Sequence, residues 1–304
     1  MKNNTLYKGI FYTCLASLFW GLPQPLFFNE IKFVSALEVA SHRGIWSFIF
    51  LSLIIICSGK IKFFFNLFKS YKKILVLSLT AILISINWAG FIFAISINRL
   101  QDASMGYYIT PMISIGLGFL FLKESISPLK FISILMMFSS LIFLFISLKT
   151  VPFIAILIAI TWGVYGLLRK QINVSSEIGL LYESGFITLI AAPYLIYLNY
   201  QGTGYFLNST SMTSVFLILT GIVTIFPLFF FNLGVKIIPL GFAGVIFFLA
   251  PTCHFLASIF ILKENLNTSK LISFIIIWIA IIVFIIDIFK EEKKIIENNT
   301  QLLS

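Results

Sequence analysis

The stretch TPMISIGLGFLFLKESISPLK at residues 110–130 recurs in altered form as APTCHFLASIFILKENLNTSK at residues 250–270. Residues 19–21 (FWG) likewise recur as residues 161–163 (TWG). Chance likeness between two hairpins rarely produces several identities at one spacing, so the chain is predicted to contain an internal repeat. The identities at a spacing of 140 positions include Ala103 and Ala243, Pro111 and Pro251, Lys123 and Lys263, Glu124 and Glu264, and Lys130 and Lys270.

The composition around this repeat is that of a membrane protein. Of the 304 residues, 60% are hydrophobic and 11% are charged, and the mean hydropathy is +1.05. A soluble domain averages about 25% charged residues, and no soluble fold of this size could bury so much apolar surface. The apolar runs are continuous and about 20 residues long, which indicates spanning helices rather than the alternating strands of a membrane barrel.

Breaks between the apolar runs divide the chain into ten predicted helices. Because each repeat has an odd number of helices, the two repeats insert with opposite topology. The sequence therefore predicts an all-α integral membrane protein with ten transmembrane helices, built as two inverted five-helix repeats at 1–149 and 150–289 with a tail at 290–304. The predicted helices are 7–28, 36–57, 74–97, 103–122, 127–147, 151–169, 178–199, 212–234, 240–262 and 268–288.

Loop charge predicts the orientation. With a cytoplasmic N-terminus, the inner loops and the two tails hold all but six of the 21 Lys and Arg residues, as the positive-inside rule requires. An even number of helices returns the C-terminus to the cytoplasm. The first helix has no A-x-A cleavage pattern and is read as retained. The six exceptions are Lys32, Arg43, Arg99, Lys149, Lys263 and Lys270.

Several functional classes are disfavoured by what the sequence lacks. The net charge of +10 is explained by the loop lysines, so no nucleic-acid partner is expected. Cys14, Cys57 and Cys253 show neither CxxC nor Cys/His spacing, which argues against a metal site and a disulfide framework. No catalytic or nucleotide-binding motif is found. We expect no cofactor, no enzymatic activity and no direct use of ATP.

Six segments of the chain together carry a family resemblance: SALEVASHRGIWS (35–47), INWAGFIFAI (86–95), DASMGYYITPMISIGLGFLFLKESIS (102–127), YGLLRK (165–170), LLYES (180–184) and TGIVTIFPL (220–228). With these segments the chain resembles the RarD branch of the EamA-type drug/metabolite transporter superfamily over roughly residues 7 to 290. The resemblance implies a ten-helix carrier of the bacterial inner membrane with two EamA repeats. The chain departs from the family in having FFN at 27–29, Thr110, and Phe247 and Phe248, each of which makes the predicted cavity less polar.

Three ionisable residues fall in the first two turns of the second predicted helix: Glu38, His42 and Arg43. A charge at the centre of a spanning helix costs about 2.5–3.5 kcal/mol on insertion scales, so such residues face a cavity or a partner. Glu38 and His42 share a helix face and could pair. Arg43 either faces a cavity or snorkels to the surface. His42 is either a proton-sensitive group or a neutral packing residue.

The second half offers Glu183 as a counterpart. Aligning the two halves sets His42 opposite Glu183 and Gly44 opposite Gly185. A carboxylate about two turns into the seventh helix needs a partner. That partner is Arg169, Lys170, a cationic substrate or a proton, and a static pair of Glu183 with Arg169 is the alternative to a functional role.

Aromatic residues and prolines complete the set of predicted site residues. Indole and phenol rings suit an amphipathic or cationic solute, although they also form interfacial belts and helix contacts. Pro111 and Pro251 occupy matching places and could act as paired bend points or as static kinks. The aromatic residues predicted to bind substrate are Trp20, Trp88, Tyr107, Tyr108, Trp162 and Tyr165.

Inverted repeats are typical of alternating-access carriers, which hold substrate near the membrane midplane. We therefore predict a secondary carrier of a small organic solute, such as an amino acid, a related metabolite or a drug-like compound. The predicted direction is export or exchange, with His42 and Glu183 as candidates for proton coupling. Its partners are the solute and the lipid bilayer, and the protein could act as a monomer or a homodimer. A membrane-embedded enzyme and a non-transporting scaffold are the alternatives.

Overall fold

The computed structural model describes residues 3–97, 100–148, 153–261 and 268–301, and within these ranges the regular secondary structure is entirely helical. Arg99, Lys149, Lys263 and Glu264, and the predicted boundary between residues 149 and 150, lie outside the described ranges. The helices are α1 (Asn3–Gly21), α2 (Pro23–Glu30), α3 (Ala36–Cys57), α4 (Ile61–Leu67), α5 (Tyr71–Ser96), α6 (Leu100–Leu122), α7 (Pro128–Leu148), α8 (Phe153–Gln171), α9 (Ser176–Tyr200), α10 (Ser211–Ile237), α11 (Leu240–Phe247), α12 (Leu249–Phe260) and α13 (Thr268–Gln301).

These helices supply ten apolar spans in the described part of the chain. Eight spans are long and apolar enough to cross a membrane, and the shorter apolar helices 106–122 and 240–256 complete the set. Two spans are interrupted, because α1 and α2 are separated at Leu22 and α11 and α12 at Phe248. The short helix α4 lies in the segment that the sequence suggested was a plain connection. The predicted all-α membrane protein with ten spanning helices is confirmed.

Helix packing follows an approximate two-fold symmetry between the halves. The helices α3 and α9, which are equivalent under the repeat, pack on each other, as do α6 with α11 and α7 with α13. The remaining large interfaces occur as equivalent pairs: α1 on α10 matches α8 on α5, and α1 on α12 matches α8 on α6. The most extensive contacts all join one half to the other, so the core of the molecule lies between the repeats.

Two glycines allow α3 and α9 to approach closely at this interface. A Cβ atom added at Gly44 would lie 2.5 Å from Ile187 Cγ2, and one added at Gly185 would lie 3.0 Å from Phe48 Cε2. Small residues at crossing points are how membrane helices bring their backbones together. The two contacts are reciprocal, since each helix offers one glycine and one large side chain. The crossing holds the polar residues of α3 and α9 in the centre of the molecule.

Candidate functional site

Arg43 lies deep inside the molecule, on the face of α3 that packs against the second half. The helix begins at Ser35, whose hydroxyl accepts a hydrogen bond from the Glu38 amide at 3.2 Å. Arg43 is only 2% exposed. Its Nε donates to Thr224 Oγ1 at 2.9 Å, which joins the two halves. The Thr224 hydroxyl in turn donates to the Thr220 carbonyl at 2.7 Å, so its lone pairs are directed at Arg43.

Aromatic rings support the guanidinium group. Arg43 Cζ lies 4.5 Å from the centre of the Trp88 ring and 4.9 Å from the centre of the Phe28 ring. A cation over an aromatic face is attracted by the ring quadrupole, and more strongly where water is excluded. These contacts hold the planar group in place without neutralising its charge.

A small void lies against this group, and we call it the Arg43 cavity. Its volume is about 20 Å³, which is room for a single water molecule. The walls come from both halves of the molecule and are mostly aromatic. The residues that line it are Trp20, Gln24, Arg43, Asn87, Trp88, Phe91, Tyr107, Trp162 and Phe247.

The Arg43 cavity contains hydrogen-bond donors that no described residue satisfies. Apart from Nε, the N–H groups of Arg43 have no partner in the described part of the chain. The amide of Gln24 and the hydroxyl of Tyr107 likewise make no hydrogen bond to a described residue, although both residues are buried and Tyr107 interacts electrostatically with Arg43. Asn87 differs, because its amide donates to the carbonyl of Ile158 at 3.0 Å. The described lining therefore includes no carboxylate and several free donors.

Indole and phenyl rings from the two halves close the Arg43 cavity. Trp20 and Trp162, which are equivalent under the repeat, meet edge to face with ring centres 4.9 Å apart. Phe247 stacks on Trp162 at 5.5 Å and meets Tyr107 at 5.5 Å. The ring of His254 lies 5.8 Å from that of Tyr107. The cavity is thus closed by aromatic rings whose contacts join the two halves.

A second polar group surrounds Glu183, and we call it the Glu183 cluster: Thr80, Tyr165, Arg169, Glu183 and Asn232. Thr80 Oγ1 lies 2.7 Å from Glu183 Oε1, and the Tyr165 hydroxyl donates to Oε2 at 3.3 Å. The amide of Asn232 donates to the Tyr165 oxygen at 2.9 Å. Glu183 is 2% exposed, and its carboxylate takes its partners from two other helices, α5 and α8.

Arg169 balances the charge of Glu183. Its Nη1 lies 3.6 Å from Glu183 Oε1, and its Nη2 donates to the Ser176 carbonyl at 3.3 Å. The guanidinium lies directly over Gly179, where a Cβ would come within 2.6 Å of Arg169 Cζ. Arg169 was one of the partners that the sequence left open for Glu183. The other candidate, Lys170, instead donates to the carbonyls of Val235 and Ile238 at 2.8 and 2.5 Å.

Trp88 separates the two polar groups. A void of about 10 Å³ is lined by Trp88, Thr224 and Glu183 among others, and Trp88 also lines the Arg43 cavity. The two small voids therefore adjoin the same indole ring.

The helix starts place Arg43 and Glu183 at equivalent positions. The caps of α3 and α9 are Ser35 and Ser175, so each buried charge lies eight residues beyond a serine cap. The sequence alignment of the halves set His42, not Arg43, opposite Glu183, and the caps shift that correspondence by one residue. Charges of opposite sign thus occupy matching places in the two halves.

Glu38 and His42 do not pair with each other. Glu38 Oε1 accepts a hydrogen bond from the Tyr205 amide at 2.7 Å, which fastens α3 to the loop between α9 and α10. His42 Nδ1 accepts from Trp46 Nε1 at 3.2 Å, and its ring lies 4.9 Å from that of Phe206. Its buried Nε2 has no partner among the described residues. His42 therefore lies against the loop and does not line the Arg43 cavity.

Tyr108 and the two prolines lie apart from both polar groups. Tyr108 packs against Phe248 and Phe274, with ring centres 6.1 and 5.0 Å away. Pro111 lies within the uninterrupted helix α6. Pro251 is the third residue of α12, just after the interruption at Phe248. Whether the two prolines bend together stays a prediction.

Several site residues were missed from the sequence. They are neutral polar side chains within apolar helices, and no spacing motif marks them. Their signal is isolation, because a polar group in a spanning helix requires a partner. The missed residues are Gln24, Thr80, Asn87, Thr224, Asn232 and His254, the last of which lies 3.1 Å from the Trp20 carbonyl. In the described ranges, no cluster of His, Cys, Asp or Glu is arranged to hold a metal ion.

The sequence pattern of the EamA-like transporter family matches this chain twice, at residues 7–146 and at residues 150–286. The Bacillus subtilis (strain 168) protein named Uncharacterized transporter YojE is 35% identical over 288 residues, which are 93% of this chain and 95% of that protein. Protein RarD of Escherichia coli K12 is 29% identical over 287 residues, covering 94% and 97%. These matches confirm the resemblance read from the sequence.

A solved crystal structure shares the fold. It superposes with a TM-score of 0.67 at 14% sequence identity, covering 93% of this chain and 98% of the other. At that identity the likeness extends to the path of the helices and leaves the site residues to be argued from this chain alone.

Proposed function

We infer that this chain, which belongs to the RarD branch of the EamA-like transporter family, moves a small organic solute across the membrane by alternating access. It is a multi-pass membrane transporter of the drug/metabolite type rather than an enzyme. The proposed solute is an amino acid, a related metabolite or a drug-like compound. The proposed direction is export or exchange across the bacterial inner membrane.

The observation that carries this proposal is the burial of Arg43 between the halves. A charged group inside a membrane protein faces a substrate path or a partner, and Arg43 has no carboxylate within 4.0 Å in the described part of the chain. Its one described hydrogen bond crosses from the first half to Thr224 in the second. Carriers built from inverted repeats bind their substrate at the interface between the repeats, and Arg43 lies at that interface.

The proposed cycle rocks the two halves, taken as 1–149 and 150–289, about this interface. Both termini lie in the cytoplasm in the proposed orientation. Glu38 then fastens the extracellular side through Tyr205, and the Glu183 cluster lies toward the cytoplasmic side. Opening either side exposes the Arg43 cavity to that side alone. Pro111 and Pro251 are proposed to bend α6 and the split ninth span during this motion.

Solute binding is assigned to residues of both polar groups. The Arg43 cavity contributes Trp20, Arg43, Trp88, Tyr107 and Trp162. Glu183 contributes from the adjoining void and Tyr165 through its hydrogen bond to Glu183, while Tyr108 and His42 support the helices around them.

Proton coupling is proposed to involve Glu183 or His42. Protonation of Glu183 would release Arg169, and protonation of His42 would disturb the packing of Phe206. A transport rate that follows an imposed pH gradient and loses that dependence in Glu183→Gln or His42→Gln supports coupling. A rate independent of the gradient identifies a uniporter or an exchanger.

The test of the carrier proposal is metabolite profiling of cells and medium. Strains would express the wild type, Arg43→Ala, Glu183→Gln, or the control Lys32→Ala, which removes an exposed cation outside the cavity. We expect one solute to change its distribution with the wild type and the control, and not with the two site variants. If no solute shifts while every protein is present in the membrane, the carrier proposal is contradicted.

A further inference from the structure

We propose that the solute is an organic anion, a monocarboxylate with an apolar or aromatic body, whose carboxylate binds Arg43. This inference rests on the proposed carrier function and narrows it, because amines and neutral compounds are excluded as preferred substrates. It follows from the charge, the donors and the walls of the Arg43 cavity.

The first step concerns charge. Among the described residues the Glu183 cluster contains its own ion pair, since Arg169 lies 3.6 Å from Glu183. Arg43 has no such partner there, and a guanidinium stays protonated in proteins. An uncompensated buried charge is strongly unfavourable, which is why buried ions are found paired. The cavity thus contains one positive charge that a bound anion would neutralise.

The second step concerns the direction of the hydrogen bonds. The free N–H groups of Arg43, the amide of Gln24 and the hydroxyl of Tyr107 can all donate into the same void. Arg is suited to bind a carboxylate with two parallel N–H bonds. An amine would meet the Arg43 charge at close range with no carboxylate in the described lining to offset it.

The third step concerns the body of the solute. Apart from the polar groups named, the walls are the rings of Trp20, Trp88, Phe91, Trp162 and Phe247. Such walls favour an aromatic or aliphatic group over a sugar or a hydrated inorganic anion. At about 20 Å³ the cavity is closed, so the solute enters a form in which these rings have separated.

The test is binding to the purified full-length protein in detergent, measured by tryptophan fluorescence and by the shift of the thermal unfolding midpoint. The probes are phenylacetate, phenylacetamide and phenethylamine, which have similar shape and carry a negative, zero and positive charge. Sodium chloride at the ionic strength of the phenylacetate solution tests whether an inorganic anion has the same effect. We expect phenylacetate alone to quench the fluorescence saturably and to raise the unfolding midpoint.

Variants assign the binding to the cavity. We expect Arg43→Gln to weaken phenylacetate binding by about tenfold or more. Gln24→Leu should weaken this binding by a smaller factor. Should Arg43→Gln fail to fold, Gln24→Leu and Arg43→Lys, which keeps the charge, still test the site. Equal binding of the three probes, binding unaffected by these variants, or a full effect of chloride alone would overturn the inference.

Transport by proteoliposomes separates this inference from the carrier proposal. Phenylacetate that binds in an Arg43-dependent way but is not moved supports the anion site and contradicts the carrier. A protein that moves phenethylamine and ignores phenylacetate is a carrier without an anion site. Movement of phenylacetate that is lost in Arg43→Gln supports both.

Discussion

At the scale of single residues, the two buried charges of the core are held in different ways. Glu183 is surrounded by hydroxyl groups and an arginine, whereas Arg43 has one hydroxyl partner and two aromatic rings. The first arrangement pairs the carboxylate with an opposite charge, although Arg169 Nε and Nη1 and Asn232 Oδ1 have no hydrogen-bond partner among the described residues. The second leaves donors free and should respond to a ligand. We therefore expect the Arg43 cavity to contribute more to recognition of the solute than the Glu183 cluster does.

Removing the hydroxyl group of Tyr165 tests how far the Glu183 cluster stabilises the fold. This hydroxyl donates to Glu183 and accepts from Asn232, so Tyr165→Phe leaves the buried Asn232 amide without its acceptor. We expect the free energy of unfolding to fall by about 1–3 kcal/mol, measured by denaturation in detergent. In Tyr165→Phe/Asn232→Leu the loss should be smaller than the sum of the single losses, because the two residues share one bond.

The control for this prediction is Tyr12→Phe. Tyr12 packs its ring against Phe230 at 5.7 Å, and its hydroxyl makes no hydrogen bond to the described residues. Its loss should change the free energy of unfolding little. Equal effects of the two tyrosine substitutions would contradict the assigned role of the Tyr165 hydroxyl.

At the scale of helices, a glycine decides how closely α3 meets α10. A Cβ added at Gly221 would lie 2.6 Å from the carbonyl carbon of Trp46 and 2.8 Å from the amide nitrogen of Ser47. Because these are backbone atoms, the helices would have to separate. The separation would pull Thr224, one turn further along α10, away from Arg43. Gly221→Ala should lower the free energy of unfolding by about 1–3 kcal/mol, as overpacked cores do.

Gly116→Ala is the matched control, since nothing in the described residues lies within 4 Å of a Cβ built at Gly116 of α6. Replacing a helical glycine with alanine should raise the free energy of unfolding by about 0.5–1 kcal/mol. Thermal unfolding of both variants in detergent measures the difference. A destabilisation of the same size at both positions would show that the close approach at Gly221 is not what matters.

The start of α11 depends on a carboxylate from the other half. The position before the helix is Pro239, which offers no side-chain cap. Glu124 Oε1 and Oε2 accept hydrogen bonds from the amides of Leu240 and Gly241 at 2.6 and 3.0 Å. A negative charge is favourable at this end of a helix. The repeated Lys-Glu pair at 123–124 thus joins the first half to the second on the cytoplasmic side of the proposed orientation.

Glu124→Gln should weaken this junction while keeping one acceptor. We expect the free energy of unfolding to fall by about 1 kcal/mol. This difference from the wild type should become smaller at high salt, because salt screens the charge of Glu124. Glu30→Gln, at the exposed end of α2, should have no such effect. A Glu124→Gln variant as stable as the wild type at every salt concentration would contradict the capping role.

At the scale of the whole molecule, sequence predicted the architecture better than the site. The lengths of the apolar runs and the charges of the loops predict each spanning helix without reference to its neighbours. The ten spans could therefore be predicted from the sequence. The interruption at Leu22 is marked by Pro23 and Pro25, whereas the one at Phe248 lies within an unbroken apolar run that gives no such signal. Arg43 could be recognised from the sequence because its side chain is charged whatever surrounds it. Its partners Thr224 and Gln24 could not, because their role exists only once two distant helices meet.

The same reasoning explains the mistaken pairing of Glu38 with His42. Helical spacing brings their Cβ atoms together, and spacing is all that a sequence offers. In the folded chain the Tyr205 amide satisfies Glu38, and Trp46 satisfies a His42 nitrogen. Loop backbone amides are common partners that no sequence pattern announces. Prediction of a site therefore fails first where contacts cross between the repeats.

That dependence of one repeat on the other leads to a prediction for the divided chain. The most extensive helix contacts join α1, α3, α6 and α7 to helices of the second half. A half expressed alone would expose those apolar faces and leave the donors of Arg43 without Thr224. Fragments 1–149 and 150–304 should each aggregate or be degraded when expressed alone. Coexpressed, they should copurify through a tag on one of them and give the same tryptophan emission as the intact chain.

The glycine variants make this experiment specific. Gly221→Ala in the second fragment should reduce the copurified amount several-fold, because α10 meets α3 there, whereas Gly116→Ala in the first should not. A fragment that is stable and monodisperse alone would mean that the repeats are independent domains. The interface of the halves would then be a late association rather than the core, and Arg43 would have to find its support within its own half. Its bond to Thr224 and the closure of the cavity by Trp162 and Phe247 argue for the joint core.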